Sequence, residues 1–307
     1  MSDRITDYTH DGLVFDVRDS GPVDGDPVVL LHGFPERASS WDLVSPLLHE
    51  QGLRTLAPDQ RGYSPRARPP RRRDYRASLL AADVAALIDE VGRPVHLVGH
   101  DWGAAIAWLV AARSRSVRSL TAVSVPHPAA FQRAMVTSRQ GLLSWYMYFF
   151  QLPVLPEVLA RPGGPLELFL RRSGMDDEAL ARFRREIVEY GALPGALGWY
   201  RAQFLDDRLV GGGGGLTGGV TVRVPTTLVW SDGDAAIARK GVDLTPGFVD
   251  APYSLEVLEG VSHWIPTQEP ERLAAIVLER IASAGPAGQA GQAGWAGPSG
   301  PAGEGDR

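Results

Sequence analysis

One five-residue stretch constrains this chain more than any other, Gly99-His100-Asp101-Trp102-Gly103, held between an apolar run, 95-VHLVG-99, and a helical segment, 104-AAIAWLV-110. A strand that turns sharply into a helix leaves room only for small residues two before and two after the turn's central residue, so the two glycines mark Asp101 as lifted above the end of a sheet. A serine in that place would need a base to take its proton before it could attack. Aspartate is ionised at neutral pH, with an ordinary pKa of about 3.9, and can attack a saturated carbon directly to form an ester on the protein.

The rest of the chain reads as the setting for such a turn. Short runs rich in Val and Leu, at 27–32, 54–59, 95–99, 118–124, 225–230 and 254–258, alternate with helical patterns, which predicts a mostly parallel sheet with helices on both faces. Residues 7–21 read as a hairpin turning near Asp11-Gly12. Tyr75, Leu79, Leu80, Val84, Leu87, Ile88 and Val91 recur at helical steps, with Asp74 as the expected N-cap. From 128 to 220 the strand signal gives way to helical segments broken by Pro and Gly. The expected division is therefore a first core part at 1–127, a helical cap at 128–220, a second core part at 221–284 and a disordered low-complexity tail at 285–307. The glycine run 211–219 reads as a flexible linker, since it lacks the Lys and Ser/Thr that complete a phosphate loop.

Composition removes several alternatives. The 307 residues contain no cysteine, which excludes disulfides, thiolate metal sites and cysteine nucleophiles, and they carry a formal charge of −5, unlike a nucleic-acid surface. The Arg-dense run 66–76 reads as a solvated loop leading into a helix. No apolar run reaches the roughly 20 residues of a membrane span, and the polar N-terminal residues do not resemble a signal peptide, so a cytoplasmic location is expected. Lys240 is the one lysine, which disfavours Schiff-base chemistry. Of the seven histidines (10, 32, 49, 96, 100, 127 and 263), most read as surface or structural and only His263 lies where a base is needed, and no metal or cofactor is expected.

The remaining chemistry-bearing residues fall into order around Asp101. His32-Gly33-Phe34-Pro35 follows a strand, and the backbone N–H of Phe34 could pair with that of Trp102 as an oxyanion hole; His32 and His100 read as supports for their turns. Downstream, 228-LVWSDGD-234 ends in two candidate acids, Asp232 and Asp234, and 258-LEGVSHW-264 supplies His263 as a base. Nucleophile, acid and then histidine is the chain order of the α/β-hydrolase triad.

With these motifs in place, the chain resembles the epoxide hydrolases of α/β-hydrolase fold over roughly residues 5–283, through HGFP, GHDWG, a carboxylate after a late strand, and SHW. The resemblance favours Asp234 over Asp232 as the acid. It also implies two cap tyrosines facing the nucleophile, and 145-WYMYFFQ-151 and 198-GWYR-201 place Tyr146 and Tyr200 at those positions, although Gly198 stands where Asn is common and Phe149 where a further Tyr is common. A packed aromatic cluster around Trp145, Tyr148, Phe149 and Phe150 is the competing account of Tyr146. The implied activity is hydrolysis of a small-molecule epoxide by water, in a monomer or homodimer, through an ester on Asp101. Two other functions stand beside it: haloalkane dehalogenation by the same nucleophile, with Trp102 toward halide but Phe34 where those enzymes carry Asn, and a non-catalytic receptor on the same fold.

Overall fold

A computed structural model describes residues 4–202 and 220–285. The glycine run at 211–219 and residues 286–307 of the tail lie outside the described residues. Eight strands form one sheet in the order β1-β2-β4-β3-β5-β6-β7-β8, with β1 (Asp7–His10), β2 (Leu13–Ser20), β3 (Asp26–Leu31), β4 (Leu53–Pro58), β5 (Val95–His100), β6 (Val117–Val123), β7 (Thr226–Ser231) and β8 (Tyr253–Leu258). The pairs β1/β2 and β2/β4 are antiparallel and all others are parallel. The first hairpin turns where expected, because Asp11 (φ 50°) and Gly12 (φ 74°) take the left-handed conformation a tight turn demands.

Alternation along the central strands feeds two apolar layers. In β3, Val28 and Leu30 belong to one core cluster and Val29 and Leu31 to the other; in β5, Val98 and Leu97 divide the same way. One layer is closed by α1 (Val44–His49) and the helix Pro270–Ser283. The other is closed by α2 (Ala77–Val91) and α3 (Trp102–Ala111). All ten residues of α3 are buried, which explains why its sequence is apolar on every side rather than on one stripe.

Between β6 and β7 the described chain is helical: α4 (Pro128–Thr137), α5 (Gln140–Leu143), α6 (Trp145–Phe149), α7 (Leu155–Leu159), α8 (Pro165–Arg172), α9 (Asp177–Phe183), a π-helical turn Arg184–Glu189, and α10 (Leu193–Ala202). Their starts are set locally. The side chain of Asp176 accepts from the Ala179 N–H at 2.8 Å at the head of α9, and prolines sit in the first turns of α4, α7 and α8.

Two sequence expectations need correction here. Asp74 does not cap α2: it lies in a short 3₁₀ turn, Arg72–Tyr75, and the helix begins after Arg76, whose extended backbone precedes it without a side-chain cap. The Arg-dense run is more than a solvated loop. Arg68 donates to the Tyr190 carbonyl at 2.9 Å, and Arg72 to the Gln151 side chain at 2.5 Å and to the Arg201 carbonyl, so the run ties core to cap.

Candidate active site

The carboxyl ends of β3, β5, β6, β7 and β8 converge beneath the cap, and every candidate residue of the core comes from one of these ends or from the turn that follows it. Asp101 holds φ 51° and ψ −120°, a conformation most side chains avoid. Its neighbours make this possible. A Cβ on Gly99 would run into the carbonyl of Gly103, and one on Gly103 into the carbonyl of Leu31. A Cβ on Gly33 would meet Asp101 itself, so glycine there lets the His32–Pro35 turn, with its cis Phe34-Pro35 bond, lie against the carboxylate.

The side chains around Asp101 form a continuous polar line. The Phe34 N–H donates to Asp101 Oδ1 at 2.8 Å, and His263 Nε2 stands 3.4 Å from Asp101 Oδ2. On its other side, His263 Nδ1 donates to Asp234 Oδ2 at 2.7 Å, while Asp234 Oδ1 accepts from the N–H groups of Ala236 and Ile237 at 2.7 and 2.9 Å. Asp232 is not part of this line: it accepts from the Gly260 N–H and steadies the turn before His263. Trp102 opens α3 directly after Asp101, so its backbone N–H belongs to the first helical turn, which has no partner within the helix.

His32 and His100 each bond to neighbouring main chain. His32 Nε2 accepts from the Gln60 N–H at 3.2 Å, and His100 Nε2 donates to the main-chain carbonyl of His263 at 2.9 Å, where the Ser124 hydroxyl also donates at 3.0 Å. One neighbour escaped the sequence reading. Glu36 is buried, and its Oε2 lies 3.6 Å from His100 Nδ1, an atom without a hydrogen-bond partner. Its position directly after His32–Pro35 was the available signal.

The electrostatics follow from this geometry. Burial works against charge on His263, but the carboxylates of Asp234 and Asp101 outweigh it and raise its pKa from 6.5 to about 10. Burial similarly opposes charge on Asp101, yet the hydrogen bond and charge of His263, the neighbouring His100 and the Phe34 N–H together hold its pKa below the ordinary carboxylate value. The two carboxylates thus favour the charged form of the imidazole that lies between them.

Tyr146, from α6, and Tyr200, from α10, meet with ring centroids 6.1 Å apart, and both line a cavity of about 330 Å³ that opens onto Asp101 and Trp102. Burial, reinforced by the Asp101 carboxylate, pushes both phenols well above their ordinary pKa. They therefore remain proton donors. Among the described residues, no group of three or more His, Cys, Asp or Glu gathers as a metal site would require, and no helix is long and apolar enough to cross a membrane.

Comparison with known proteins agrees with the architecture. Residues 28–276 match the Alpha/beta hydrolase family. Curated relatives include the AB hydrolase superfamily protein YfhM of Bacillus subtilis, 31% identical over 87% of this chain and 94% of that protein, and epoxide hydrolase 3 of Xenopus tropicalis, 32% identical over 87% of this chain and 74% of that protein. In fold, the chain is similar to epoxide hydrolase A of Mycobacterium thermoresistibile, with a TM-score of 0.77, 24% identity, and 90% of this chain and 97% of the other covered. From its strand order, its elbow and these relatives, this chain is a hydrolase that belongs to the alpha/beta hydrolase family, within the part of it that holds the epoxide hydrolases.

Proposed function

We propose that this hydrolase opens a small epoxide to a vicinal diol through an ester on Asp101. The observation that carries this reading is the pairing of a carboxylate nucleophile with two protonated tyrosines across one cavity. A halide leaves without a proton, whereas the oxygen of an opening epoxide needs a donor. Dehalogenation is the weaker reading, since Phe34 offers no side-chain donor to halide and the Trp102 indole packs edge-on against Tyr200, with ring centroids 5.2 Å apart.

In the first step an oxygen of Asp101 attacks one ring carbon, the carbon–oxygen bond of the ring breaks, and a tyrosine gives its proton to the departing oxygen. The ester that results is neutral, so His263 loses one of its two counter-charges; its extra proton restores the tyrosine, and the imidazole becomes a base. Oriented by Asp234, it takes a proton from water as that water attacks the ester carbonyl carbon. The N–H groups of Phe34 and Trp102 hold the oxyanion, a pair in which each donor contributes about 3 kcal/mol. On collapse the acyl–oxygen bond breaks, His263 gives its proton to the departing diol oxygen, and Asp101 returns with one oxygen from water after passing its own proton back to His263. A soluble cytoplasmic enzyme needing only water as co-substrate fits this chemistry.

The test is to trap the ester. His263→Gln protein incubated with styrene oxide should gain the mass of one substrate on Asp101, and wild-type protein given a single turnover in heavy-oxygen water should release unlabelled diol and retain label in the Asp101 carboxylate. A folded His263→Gln protein that gains no mass, from a wild type that hydrolyses the same substrate, would rule out the ester.

A further inference from the structure

Among the described residues, the cavity beside Asp101 is lined unevenly on its two flanks. From Asp101, Tyr146 and Tyr200 it runs along α4, where Phe131, Gln132, Met135 and Val136 form its wall. On the other flank stand Phe34, Phe150 and Trp199, which are 5, 1 and 2% exposed and do not line the cavity. Phe34 meets Phe150 at 5.3 Å and Tyr200 at 5.1 Å between ring centroids, Phe150 meets Tyr200 at 5.0 Å, and Trp102 meets Trp199 at 5.7 Å. These are the spacings of rings packed against each other, with no room for a further ring between them.

The reaction geometry turns this asymmetry into selectivity. If Asp101 attacks from one face and the tyrosines hold the ring oxygen on the other, the carbon–carbon bond of the epoxide lies across the cavity floor. One ring carbon then points along α4 and the other points into the aromatic packing. We infer that the substrates are epoxides substituted on one ring carbon only, the terminal aliphatic and styrene-oxide class, and that trans-disubstituted epoxides with a bulky group on each carbon are excluded by Phe34, Phe150 and Trp199. This rests on the reading of the site as an epoxide hydrolase.

The comparison that tests it is styrene oxide against trans-stilbene oxide, which adds a second phenyl ring on the other carbon. Forcing that ring into a packed core should lower kcat/KM by roughly a hundredfold, equivalent to about 2.7 kcal/mol. Phe150→Ala, which empties part of the packed flank, should narrow the gap by roughly tenfold. Met135→Trp tests the other arm without disturbing the packed flank: it should depress styrene oxide turnover far more than that of propylene oxide, which needs little of the α4 arm. Equal kcat/KM for styrene and trans-stilbene oxides in the wild type would overturn the one-armed cavity and leave epoxide hydrolysis standing, as would a Met135→Trp protein indifferent to styrene oxide. Turnover of haloalkanes and of no epoxide would instead overturn the functional reading, and the substrate class with it.

Discussion

The indole N–H of Trp199 donates to the main-chain carbonyl of Arg61 across 2.7 Å, fastening α10 of the cap to the loop after β4 one residue before Tyr200. The two segments touch closely enough that a Cβ on either Gly62 or Gly195 would collide with the other's backbone. The carbonyl belongs to a residue that is itself fixed: the Arg61 guanidinium makes a two-pronged pair with Asp83, with 2.7 Å on each prong, and both side chains are buried. One proposed proton donor is therefore aimed by a hydrogen bond from the cap to a core residue locked by a buried ion pair.

Replacing Trp199 by Phe should cost about 1–3 kcal/mol, because the Arg61 carbonyl would be left buried without its donor while most of the ring packing survives. Urea unfolding should show a lower midpoint with an unchanged slope. The ring-opening rate should fall as well, since Tyr200 would lose its anchor, whereas hydrolysis of the ester, which relies on His263, should be nearly unaffected. A variant as stable and as active as wild type would show that the bond neither holds the cap nor aims the tyrosine.

Asp83→Ala should be more damaging. It strands the Arg61 charge in the interior and removes the partner of His10, whose Nδ1 lies 2.7 Å from Asp83 Oδ1. Breaking a buried pair by deleting one member costs about 3–5 kcal/mol. A fall in melting temperature larger than that caused by Trp199→Phe is expected, and a smaller one would mean that water or another group takes over the Asp83 position.

The strands and the elbow were legible because their signals are local. A run such as VVLL fixes its own alternation, and Gly99 and Gly103 report a turn that only small residues permit. The six strand segments read from sequence lie within one residue of β3–β8 at every end. What escaped depended on partners distant in the chain. Asp74 looked like a cap because Asp suits that role, but Arg61 draws its carbonyl into a bond at 2.9 Å and the helix starts later. The Arg-dense run looked solvated because its acceptors in the cap, on Gln151, Tyr190 and Arg201, lie 79 to 129 positions away. Glu36 was adjacent to a motif already in view, yet its interest comes only from His100 and from the cap residue Arg182, whose Nη2 stands 3.6 Å from Glu36 Oε1.

The pH response should separate the two chemical steps. His263 has a raised pKa in the folded protein, so the stability it contributes is complete below about 6.5 and is lost as pH rises through about 10. Asp101 has a lowered pKa, so its contribution is complete above 3.8 and is lost as pH falls through the depressed value. Wild-type stability should therefore decline from mild to strong alkali, and His263→Gln should flatten that decline. In the proposed reaction, ester formation would use the ionised Asp101 and should change little around neutrality, while ester hydrolysis would need neutral His263 and should accelerate with rising pH. Stopped-flow fluorescence, with Trp102 beside the ester, can follow both phases. A hydrolysis rate that falls as pH increases would contradict the assignment of His263 as the base.

The cap tyrosines give the most discriminating test, because ring opening needs a donor and halide departure does not. Tyr146→Phe and Tyr200→Phe each remove one hydroxyl while keeping the ring that packs against Phe150, whose centroid lies 5.8 Å from Tyr146 and 5.0 Å from Tyr200. With one donor left, ester formation should slow by roughly a hundredfold, the typical loss when a single donor to a developing oxyanion is removed. With both gone, the oxygen would have to leave unprotonated within an apolar pocket, and ring opening should be nearly abolished. Hydrolysis of an ester already formed should proceed at its wild-type rate, since Phe34, Trp102, His263 and Asp234 are untouched. If the tyrosines serve only to pack the cap, the order reverses: the double variant would lose stability and keep its ester-forming rate. Wild-type ring opening in that double variant would remove the observation on which epoxide hydrolysis rests, and turnover of haloalkanes by the same protein would establish dehalogenation in its place.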